Sequence, residues 1–404
     1  MTLNKSYRLL NFLNRTHGLL TRSLFALLGY SGVLLVTGSA RLAAQMWRSF
    51  MHDQFKLALR RCGWYARTGW PGLHHPSDPF FDFTEGLNGA ERVAARRFLD
   101  SRAERLPRHV YLADCLYLAA AELHARLEEG EVLTDAQLDA FYQGGNTLLQ
   151  NLPTPRQPGS AQAEPRERED DFCRDDARQA LADFAQLFPL DQWHWYVISG
   201  SFLGLVRENG FLAHDYDIDL GVNAEAFDLQ HMLQVLAGQQ HFVLKKLDEH
   251  YEVSRGQLGR HELRKYPALV KLIHCSGINL DLFIHHLQDG VRWHGSIIHR
   301  WDNHDFALQP YRLEGVEVRG PADADRYLTE NYGDWRTPVK SFDCTTGTPN
   351  LVVARNFLSL ALFLKRLAIF SAENPAQAIK LRRALLASAV LMETEQGLQM
   401  RRYL

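Results

Sequence analysis

The sequence predicts an α+β protein in which a mixed sheet with flanking helices is preceded by a helical N-terminal domain and followed by C-terminal helices. Three observations support this prediction. Residues 1–150 carry apolar residues at helical spacing without a convincing strand, residues 193–285 contain short runs rich in β-branched and aromatic residues, and residues 352–392 return to helical spacing. The 404 residues are enough for roughly two to three domains.

The composition is that of a folded, mostly soluble protein. Hydrophobic residues make up 46% of the chain and charged residues 23%, which excludes a wholly disordered or collagen-like chain. The five cysteines lie far apart and form no C-x-x-C pair, which argues against a disulfide scaffold or a cysteine-rich zinc knuckle; they are Cys62, Cys115, Cys173, Cys275 and Cys344. We therefore expect a reducing, cytoplasmic compartment.

The N-terminal part of the chain is strongly basic. Residues 1–69, here called the basic lobe, contain ten Lys or Arg residues and one acidic residue, Asp53. Their net charge of +9 leaves −11 for the remainder of a chain whose net charge is −2. An anionic membrane or a polyanionic substrate would attract this lobe, since each Lys or Arg near an anionic surface contributes about 1 kcal/mol. A solvated helical face accounts for the same charge equally well.

An uncharged run of eighteen residues, Ser23–Ala40, lies inside the basic lobe. A membrane span needs about 20 strongly apolar residues, and this run contains three glycines and several hydroxyl side chains. We therefore expect a buried or interfacial helix. A cleaved signal peptide fits the segment on paper, but the catalytic function inferred below speaks against export.

The chain is predicted to divide into four segments. Residues 1–150 are the helical domain, and residues 151–178 are a linker, because four prolines surround a mixed-charge run with little apolar surface. Residues 179–345 form the mixed-sheet domain, and residues 346–404 are C-terminal helices.

Within the mixed-sheet domain, a strand at Trp193–Ser199 is followed by a short helix at Phe202–Glu208, which Gly210 ends. Alternation of apolar and polar residues predicts further strands, which are Asp217–Val222, His241–Leu247, Tyr251–Arg255, Ala268–His274 and Ile278–His285.

The corner between the first strand and helix has the composition of an anion site. Residues 198–207 read ISGSFLGLVR, so Gly200 and Ser201 open the helix directly after the strand. Glycine lets backbone N–H groups approach a phosphate closely, and the helix N-terminus adds the positive end of its dipole.

Carboxylates follow this corner on two predicted strands. Asp217 and Asp219 stand two residues apart in GFLAHDYDIDLG, so both point to one face of a strand. Asp281 alternates with Leu280 and Leu282 in NLDLF and faces away from those core residues. Hard oxygen ligands opposite a phosphate cradle are suited to Mg²⁺, which uses substrate phosphates to complete its octahedron. Each signal alone is weak, because such a strand is often only a polar edge, but their ordered combination favours a site.

These blocks resemble the LicD/fukutin family within the polymerase-beta-like nucleotidyltransferase superfamily. The resemblance covers about residues 190–340 and includes a fourth block, YGDWRTP at residues 332–338. It implies a nucleotidyltransferase-like fold and transfer of a phosphorylated group, such as phosphocholine, ribitol phosphate or glycerol phosphate, from a CDP-linked donor to a glycan. It further implies Asp217, Asp219 and Asp281 as ligands of Mg²⁺ or Mn²⁺, with Gly200, Ser201 and Arg207 beside the donor phosphates.

Other residues of these blocks are candidates for catalysis or binding. Asp215 or Asp281 is the candidate acceptor of the hydroxyl proton, although His214 and Tyr216 around Asp215 depart from the family pattern. His214, Arg207 and Lys271 are candidate substrate-binding residues; a surface salt bridge is an equally good interpretation of the two cations.

A second metal site among the histidines near the Asp281 strand is not favoured by their spacing, which matches no familiar zinc pattern. These residues are His285, His286, His294, His299 and His304.

The function predicted from the sequence is metal-dependent phosphotransfer to a cell-surface glycan, such as a capsule, lipopolysaccharide or teichoic-like polymer, with release of CMP. A nucleotidyltransferase that leaves the nucleotide on a small molecule or protein is the alternative, because both share the Gly-Ser and Asp-x-Asp parts. A third possibility, a membrane-docked assembly factor with a vestigial site, conflicts with the intact Asp217, Asp219 and Asp281. Expected partners are a CDP-linked donor, a glycan acceptor and, peripherally, the anionic inner face of the cytoplasmic membrane, and not nucleic acid.

Overall fold

The computed structural model describes most of the chain after residue 105 and parts of the first hundred residues. The described residues are 3–8, 11, 19–38, 40, 43–44, 47, 96–97, 99–100, 103–104, 106–153, 173–212, 215, 217–256, 259–339, 342, 344, 348–395 and 397–404. Most of the predicted linker and His214 lie outside these residues.

Helices occupy much of the described chain. They are α1 (Leu19–Thr37), α2 (Arg108–Glu128), α3 (Asp135–Gln150), α4 (Arg174–Leu187), α5 (Leu190–Trp193), α6 (Ser199–Glu208), α7 (Leu229–Ala237), α8 (Ala324–Tyr332), α9 (Phe357–Glu373) and α10 (Pro375–Ala387). The last residues of the predicted linker, 174–178, thus belong to a helix.

Strands run from residue 196 to the end of the chain. They are β1 (Tyr196–Val197), β2 (Asp217–Asn223), β3 (Phe242–Arg255), β4 (His261–His274), β5 (Asn279–Gln288), β6 (Val291–Gly295), β7 (His299–His304), β8 (Leu308–Leu313), β9 (Val316–Pro321), β10 (Leu351–Val353), β11 (Leu391–Thr394) and β12 (Gly397–Met400). The predicted C-terminal helices therefore share their segment with short strands.

The chain divides into two compact units, each assembled from separate segments. Unit 1 comprises Met1–Asn11, Pro158–Glu252 and Arg264–Ala354, and unit 2 comprises Phe12–Gln157, Val253–Leu263 and Arg355–Leu404. The division into four segments that end at residues 150, 178, 345 and 404 stays a prediction.

Unit 1 is built on a mixed sheet, as predicted. Six strands follow the order β1-β2-β5-β6-β7-β10, and β4 also pairs with β5 and carries β3 on its other side. Strands β2 and β5 are parallel, whereas β5 is antiparallel to both β4 and β6. The mixed α+β architecture predicted from the sequence is therefore confirmed.

Alternation along β2 and β5 separates the core from the polar face. Ile218, Leu220, Leu280 and Leu282 are buried with helix α4 residues in one hydrophobic cluster. Because successive side chains of a strand point to opposite faces, Asp217, Asp219 and Asp281 are placed on the other face; this alternation, visible in the sequence, fixes which residues can form a site.

Unit 2 contains helices α1, α2, α3, α9 and α10 with the β11–β12 hairpin. Every residue of α9 from Phe357 to Ser371 is buried, including Lys365 and Arg366. Lys365 Nζ lies 2.8 Å from Asp114 Oδ1 of α2, so the buried amino group is paired with a buried carboxyl group. Among the described residues, no helix has the length and apolarity needed to cross a membrane.

Candidate active site

The strand-to-helix corner after β1 positions a backbone N–H group at the polar face of the sheet. Ile198 is extended, and Ser199 adopts the left-handed conformation with φ of 46°, which turns the chain sharply into α6. Gly200 then donates its backbone N–H to Asp219 Oδ2 at 3.1 Å. The predicted corner at the N-terminus of α6 therefore directly adjoins the carboxylate strand.

Gly200 leaves little space between two carboxyl groups. A Cβ atom added at Gly200 would lie 3.3 Å from Asp215 Oδ2 and 3.4 Å from Asp219 Oδ2. The corner, Asp215 and Asp219 are thus in contact distance of one another. The absence of a side chain at residue 200 is what permits this approach.

The parallel register of β2 and β5 brings the remaining carboxylates together. Asp217 is the register partner of Asn279, and Asp219 is the register partner of Asp281. On the other side of β5, Lys271 of β4 is the register partner of Asp281. The three strands therefore present a row of Asp219, Asp281 and Lys271, and the structure brings together all four predicted aspartates.

Burial makes this cluster of carboxyl groups difficult to ionise. Asp217 and Asp281 are exposed by only 7% and 5%. Burial, and then the charges of Asp281 and Asp215, raise the pKa of Asp217 to about 8. Burial and the charges of Asp217, Asp215 and Asp281 likewise raise the pKa of Asp219 well above its ordinary value. Ionising these carboxyl groups is therefore unfavourable unless nearby positive charge stabilises the carboxylates.

Two lysines supply part of that charge. Lys271 Nζ lies 2.7 Å from Asp281 Oδ2, and this cation opposes the effect of burial, which still raises the pKa of Asp281. Lys245 Nζ donates to Asn279 Oδ1 at 2.9 Å, and its charge opposes the rise in the pKa values of Asp217 and Asp281. Lys245 was missed from the sequence, because only the pairing of β3 with β4 and of β4 with β5 brings it near the cluster.

The residues of the cluster fit a divalent cation. Asp281 Oδ1 is buried and has no hydrogen-bond partner, while its other oxygen is paired with Lys271. Asp217, Asp219 and Asp281 lie on neighbouring parallel strands and offer the oxygen donors that Mg²⁺ and Mn²⁺ prefer. A cation there would also remove the electrostatic cost of ionising Asp217 and Asp219.

Two predicted phosphate-binding side chains have other contacts in the structure. The Ser201 hydroxyl is buried and accepts the backbone N–H of Asp219 at 2.9 Å, which fixes the corner against β2. Arg207 Nη1 donates to the Trp335 carbonyl at 3.2 Å and Nη2 to Glu208 Oε1 at 3.1 Å. Their roles at the donor phosphates stay predictions, as does that of His214.

The YGDWRTP block borders the same cluster. Burial, followed by the charges of Asp219, Tyr327 and Asp215, raises the pKa of Tyr332 well above its ordinary value. Trp335 is 8% exposed and donates its Nε1–H to Asp325 Oδ1 at 3.1 Å. The block thus brings a tyrosine near the carboxylates and anchors Arg207 through Trp335.

Comparison with known proteins finds a family model that matches part of this chain. Residues 193–323 match the LicD/FKTN/FKRP nucleotidyltransferase domain. The match contains the strand-to-helix corner and all four aspartates, so the resemblance predicted from the sequence is confirmed.

Two rickettsial proteins are similar to part of this chain. The uncharacterized protein RP689 of Rickettsia prowazekii (strain Madrid E) is 26% identical over 165 residues, covering 39% of this chain and 54% of that protein. The uncharacterized protein RT0683 of Rickettsia typhi (strain ATCC VR-144 / Wilmington) is 25% identical over 164 residues, covering 39% of this chain and 45% of that protein. The chain thus spans about half the length of these curated relatives.

Among solved structures, the chain is similar to the crystal structure of the lincosamide antibiotic adenylyltransferase LnuA with lincomycin bound. The identity is 15%, the match covers 37% of this chain and 83% of that chain, and the TM-score is 0.24.

Proposed function

Because residues 193–323 match the LicD/FKTN/FKRP nucleotidyltransferase domain, we propose that this protein is a metal-dependent phosphotransferase. It moves a phosphorylated alditol or phosphocholine from a CDP-linked donor to a hydroxyl group of a cell-surface glycan and releases CMP. The observation that carries this proposal is the cluster of Asp217, Asp219 and Asp281 at the N-terminus of α6, where a buried carboxylate oxygen of Asp281 has no hydrogen-bond partner.

Asp217, Asp219 and Asp281 would hold the cation, Mg²⁺ or Mn²⁺. When bound, the ion would neutralise negative charge on the transferring and leaving phosphate oxygens. Gly200 keeps its N–H bonded to Asp219, so this carboxyl group is oriented before any ligand enters. Lys271 holds Oδ2 of Asp281 by an ion pair, so Oδ1 of the same carboxyl group is available to the cation. Preorganised charges of this kind need no rearrangement during the reaction.

The donor phosphates would bind to the backbone at the N-terminus of α6 and to the lysine side chains around the cluster. The N-terminus of α6 places its positive dipole end beside the cluster, where a phosphate group would bind. Lys271 and Lys245 add positive charge from the sheet, where their ammonium groups already lie against Asp281 and Asn279. A diphosphate-linked donor suits this combination of a cation site and positively charged surroundings better than a neutral substrate does.

The transfer step needs one proton acceptor. The acceptor hydroxyl oxygen forms a bond to the phosphorus of the transferred group, the phosphoanhydride bond to CMP breaks, and the hydroxyl proton passes to a carboxylate of the protein. Asp215 and Asp281 are the two candidates. Asp215 lies close to Gly200 at the corner, whereas Asp281 is paired with Lys271. Positioning and charge account for the remaining catalysis, since phosphoryl transfer needs little covalent chemistry from the protein.

A nucleotidyltransferase is the second candidate function. The match to a nucleotidyltransferase domain at residues 193–323 favours it, because the same cation site serves attack on either phosphorus of a nucleoside diphosphate compound. In that reaction the nucleotide stays on the product, so free CMP is not released.

We also propose a cytoplasmic location with peripheral contact between the basic lobe and the inner face of the membrane. CDP-linked donors would then meet lipid-linked glycan acceptors at that surface. Nothing in the proposed mechanism requires a nucleic acid.

The experiment that tests the function is a release assay with the purified full chain. CDP-choline, CDP-ribitol and CDP-glycerol are incubated in turn with Mg²⁺ or Mn²⁺ and with envelope glycan fractions, and CMP and products are separated by chromatography. Acceptor-dependent CMP release that is lost in the Asp219→Asn variant supports the phosphotransferase. Transfer of the nucleotide to a product supports the alternative, and turnover of none of these donors contradicts the proposal.

A further inference from the structure

Unit 1 contains a cluster of histidine, cysteine and aspartate side chains on a different face of the sheet from the aspartates of the candidate active site. We propose that Asp183, His241, His274 and Cys275 form a binding site for a transition metal ion of the Zn²⁺ type. Among the described residues, the donor atoms of His241, His274 and Cys275 lie within 4.8 Å of one another. Asp183 of α4 faces both imidazoles.

The distances within the cluster are hydrogen-bond distances, and they lie close to the edges of a small coordination polyhedron. Asp183 Oδ2 lies 3.0 Å from His274 Nε2 and 3.2 Å from His241 Nδ1. Cys275 Sγ lies 3.5 Å from His274 Nε2. Ligands at about 2.0–2.3 Å from a tetrahedral Zn²⁺ are separated from each other by about 3.3–3.7 Å. Small movements of these side chains would therefore complete the site.

The backbone holds the two ends of the cluster together. Cys275 donates its backbone N–H to the His241 carbonyl at 2.8 Å. Gly277, at φ of 108°, closes the β4–β5 turn and donates to the His274 carbonyl at 2.8 Å. Three of the four proposed ligands thus lie on backbone segments joined by hydrogen bonds, which is the preorganisation that a metal site needs.

Hydrogen bonds outside the cluster orient two of the ligands. His274 is completely buried, and its Nδ1 lies 2.7 Å from Ser276 Oγ. Nδ1 also accepts the Ser276 backbone N–H at 3.3 Å, so Nε2–H is directed at Asp183 Oδ2. An ion bound at Nε2 would require this proton to move to Nδ1, where the Ser276 hydroxyl oxygen can accept it. Asp183 Oδ1 accepts from Gln179 at 2.8 Å, which leaves Oδ2 for the two imidazoles. Such supporting bonds accompany metal-binding histidines and carboxylates.

This cluster is separate from the carboxylates at the candidate active site. His274 and Lys271 are three residues apart on β4, so their side chains point to opposite faces of the sheet. Lys271 faces Asp281, whereas His274 faces Asp183 of α4. The proposed ion is therefore not one of those that Asp217, Asp219 and Asp281 would hold.

The donor set selects the type of ion. One thiol and two imidazoles suit Zn²⁺ and its analogue Co²⁺, whereas Mg²⁺ and Ca²⁺ prefer oxygen ligands only. Burial lowers the pKa of His274, which favours the neutral imidazole that binds a metal. His241 is 58% exposed in its side chain, so the site is open to ions from solution. Binding releases the thiol proton of Cys275 to solvent, and affinity should rise with pH.

The test uses Co²⁺ and Zn²⁺ alone as probes of the purified full chain, with no measurement of transfer activity. We expect Co²⁺ to give a thiolate-to-metal charge-transfer absorption at one equivalent, and Zn²⁺ to displace it. Cys275→Ser should lose this absorption, while Cys173→Ser, which changes an exposed cysteine away from the cluster, should retain it. Ser276→Ala should keep the absorption and weaken Zn²⁺ binding by about 10- to 100-fold.

Thermal unfolding gives a second readout. Zn²⁺ should raise the Tm of the wild type and of Asp217→Asn, but not of Cys275→Ser, because an ion bound only to the folded state stabilises it. Loss of the Co²⁺ absorption in Asp217→Asn would mean that the ion sits at the carboxylates and would overturn the proposal. Absence of the thiolate absorption in the wild type would overturn it as well. Failure of the transferase proposal would leave these results unchanged.

Discussion

Asp219 of β2 and Asp281 of β5 are register partners on adjacent parallel strands. Neighbouring strands are about 4.8 Å apart, so two carboxyl groups face each other at the polar face of the sheet. Asp217 and Asp215 add two more carboxyl groups within electrostatic range of Asp219. A folded chain keeps such a group of acids only where protons or cations balance their charge, and this balance underlies the first prediction.

Asp217→Asn and Asp219→Asn should each reduce turnover by at least about 100-fold, because each removes a charged cation ligand whose loss costs several kcal/mol in the transition state. Asparagine can still accept the Gly200 N–H at residue 219, so the Tm should change little. EDTA should reproduce the loss in the wild type. Asp191→Asn, at an exposed position, is the matched control. Full activity of either variant, or of the wild type in EDTA, would refute the metal mechanism.

Asp281→Ala should be as damaging to turnover as those changes, and its effect should exceed any loss of folded protein. Removal of this carboxylate also leaves the Lys271 ammonium group without its partner. The double variant Asp281→Ala/Lys271→Met should therefore recover part of the lost stability, since it no longer strands a partly buried charge. Turnover should not recover. If activity follows the folded fraction in both variants, Asp281 is a structural residue.

Gly200→Ala should reduce turnover while the protein stays folded. The added methyl group would press on the carboxyl groups of Asp215 and Asp219 at 3.3 and 3.4 Å, and would displace them from their present positions. Gly144→Ala in α3 is the control, because its methyl group would make an ordinary contact of 3.6 Å with Leu116. Measured kcat and Tm for both variants separate the two effects. Equal activity of Gly200→Ala and the wild type would show that the corner tolerates displacement.

Two buried histidines should make the protein sensitive to acid. Burial lowers the pKa of His294 to about 3, and burial and the charge of His294 lower the pKa of His285 well below its ordinary value. Their rings lie 4.6 Å apart between centroids. The unfolded chain takes up these protons near pH 6.5 and the folded chain does not, so the full stability is present above pH 6.5 and falls as the pH decreases toward 3.

The free energy of unfolding, measured with urea between pH 4 and 7, should show this slope. His294→Phe should reduce the slope of this free energy against pH by up to about 1.4 kcal/mol per pH unit. A phenyl ring can keep the contacts with Phe283 and Trp301 but has no titrating group. Gln230→Phe, at an exposed position that carries no titrating group, should leave the slope unchanged. Equal slopes in all three proteins would contradict the prediction.

The carboxylate site could be predicted from sequence because its signals are local. Alternation defines β2 and β5 to within a few residues, and the glycine corner adjoins them in the chain. Strands β6 to β9 were not predicted, since segments such as His299–His304 are short and polar. Likewise, β3 is one continuous strand and not two, because polar residues between the predicted strands keep the extended backbone.

Contacts between distant segments could not be predicted in this way. Lys245 reaches Asn279 only through the order of β3, β4 and β5. The cluster of Asp183, His241, His274 and Cys275 has spacings too wide for a recognisable metal motif. The conspicuous histidine series gave no metal-binding group among the described residues; its member His285 is instead packed against Tyr196 and His294.

Helix α1 has an exposed apolar face that the proposed membrane contact would use. Leu24, Leu27, Leu28 and Leu35 are 52% to 87% exposed and share one face of this helix, whereas Ala26 and Val33 on the opposite face are buried. Contact of this exposed face with a membrane surface stays a proposal. An apolar helix face in a segment whose sequence carries a net charge of +9 would give the two signals that stable peripheral binding requires.

Sedimentation with vesicles separates these two contributions. The full chain should bind anionic phosphatidylglycerol vesicles more strongly than neutral phosphatidylcholine vesicles, and high salt should weaken the difference because it screens charge. Changing Arg8, Arg15, Arg22 and Arg41 to Glu should abolish the preference for anionic lipid. Changing Leu24, Leu28 and Leu35 to Gln should weaken binding to both, since about 0.8 kcal/mol is lost for each buried CH₂ group that no longer enters the lipid. Equal binding of the wild type to both vesicles, or to neither, would mean that the charge of the basic lobe serves another purpose.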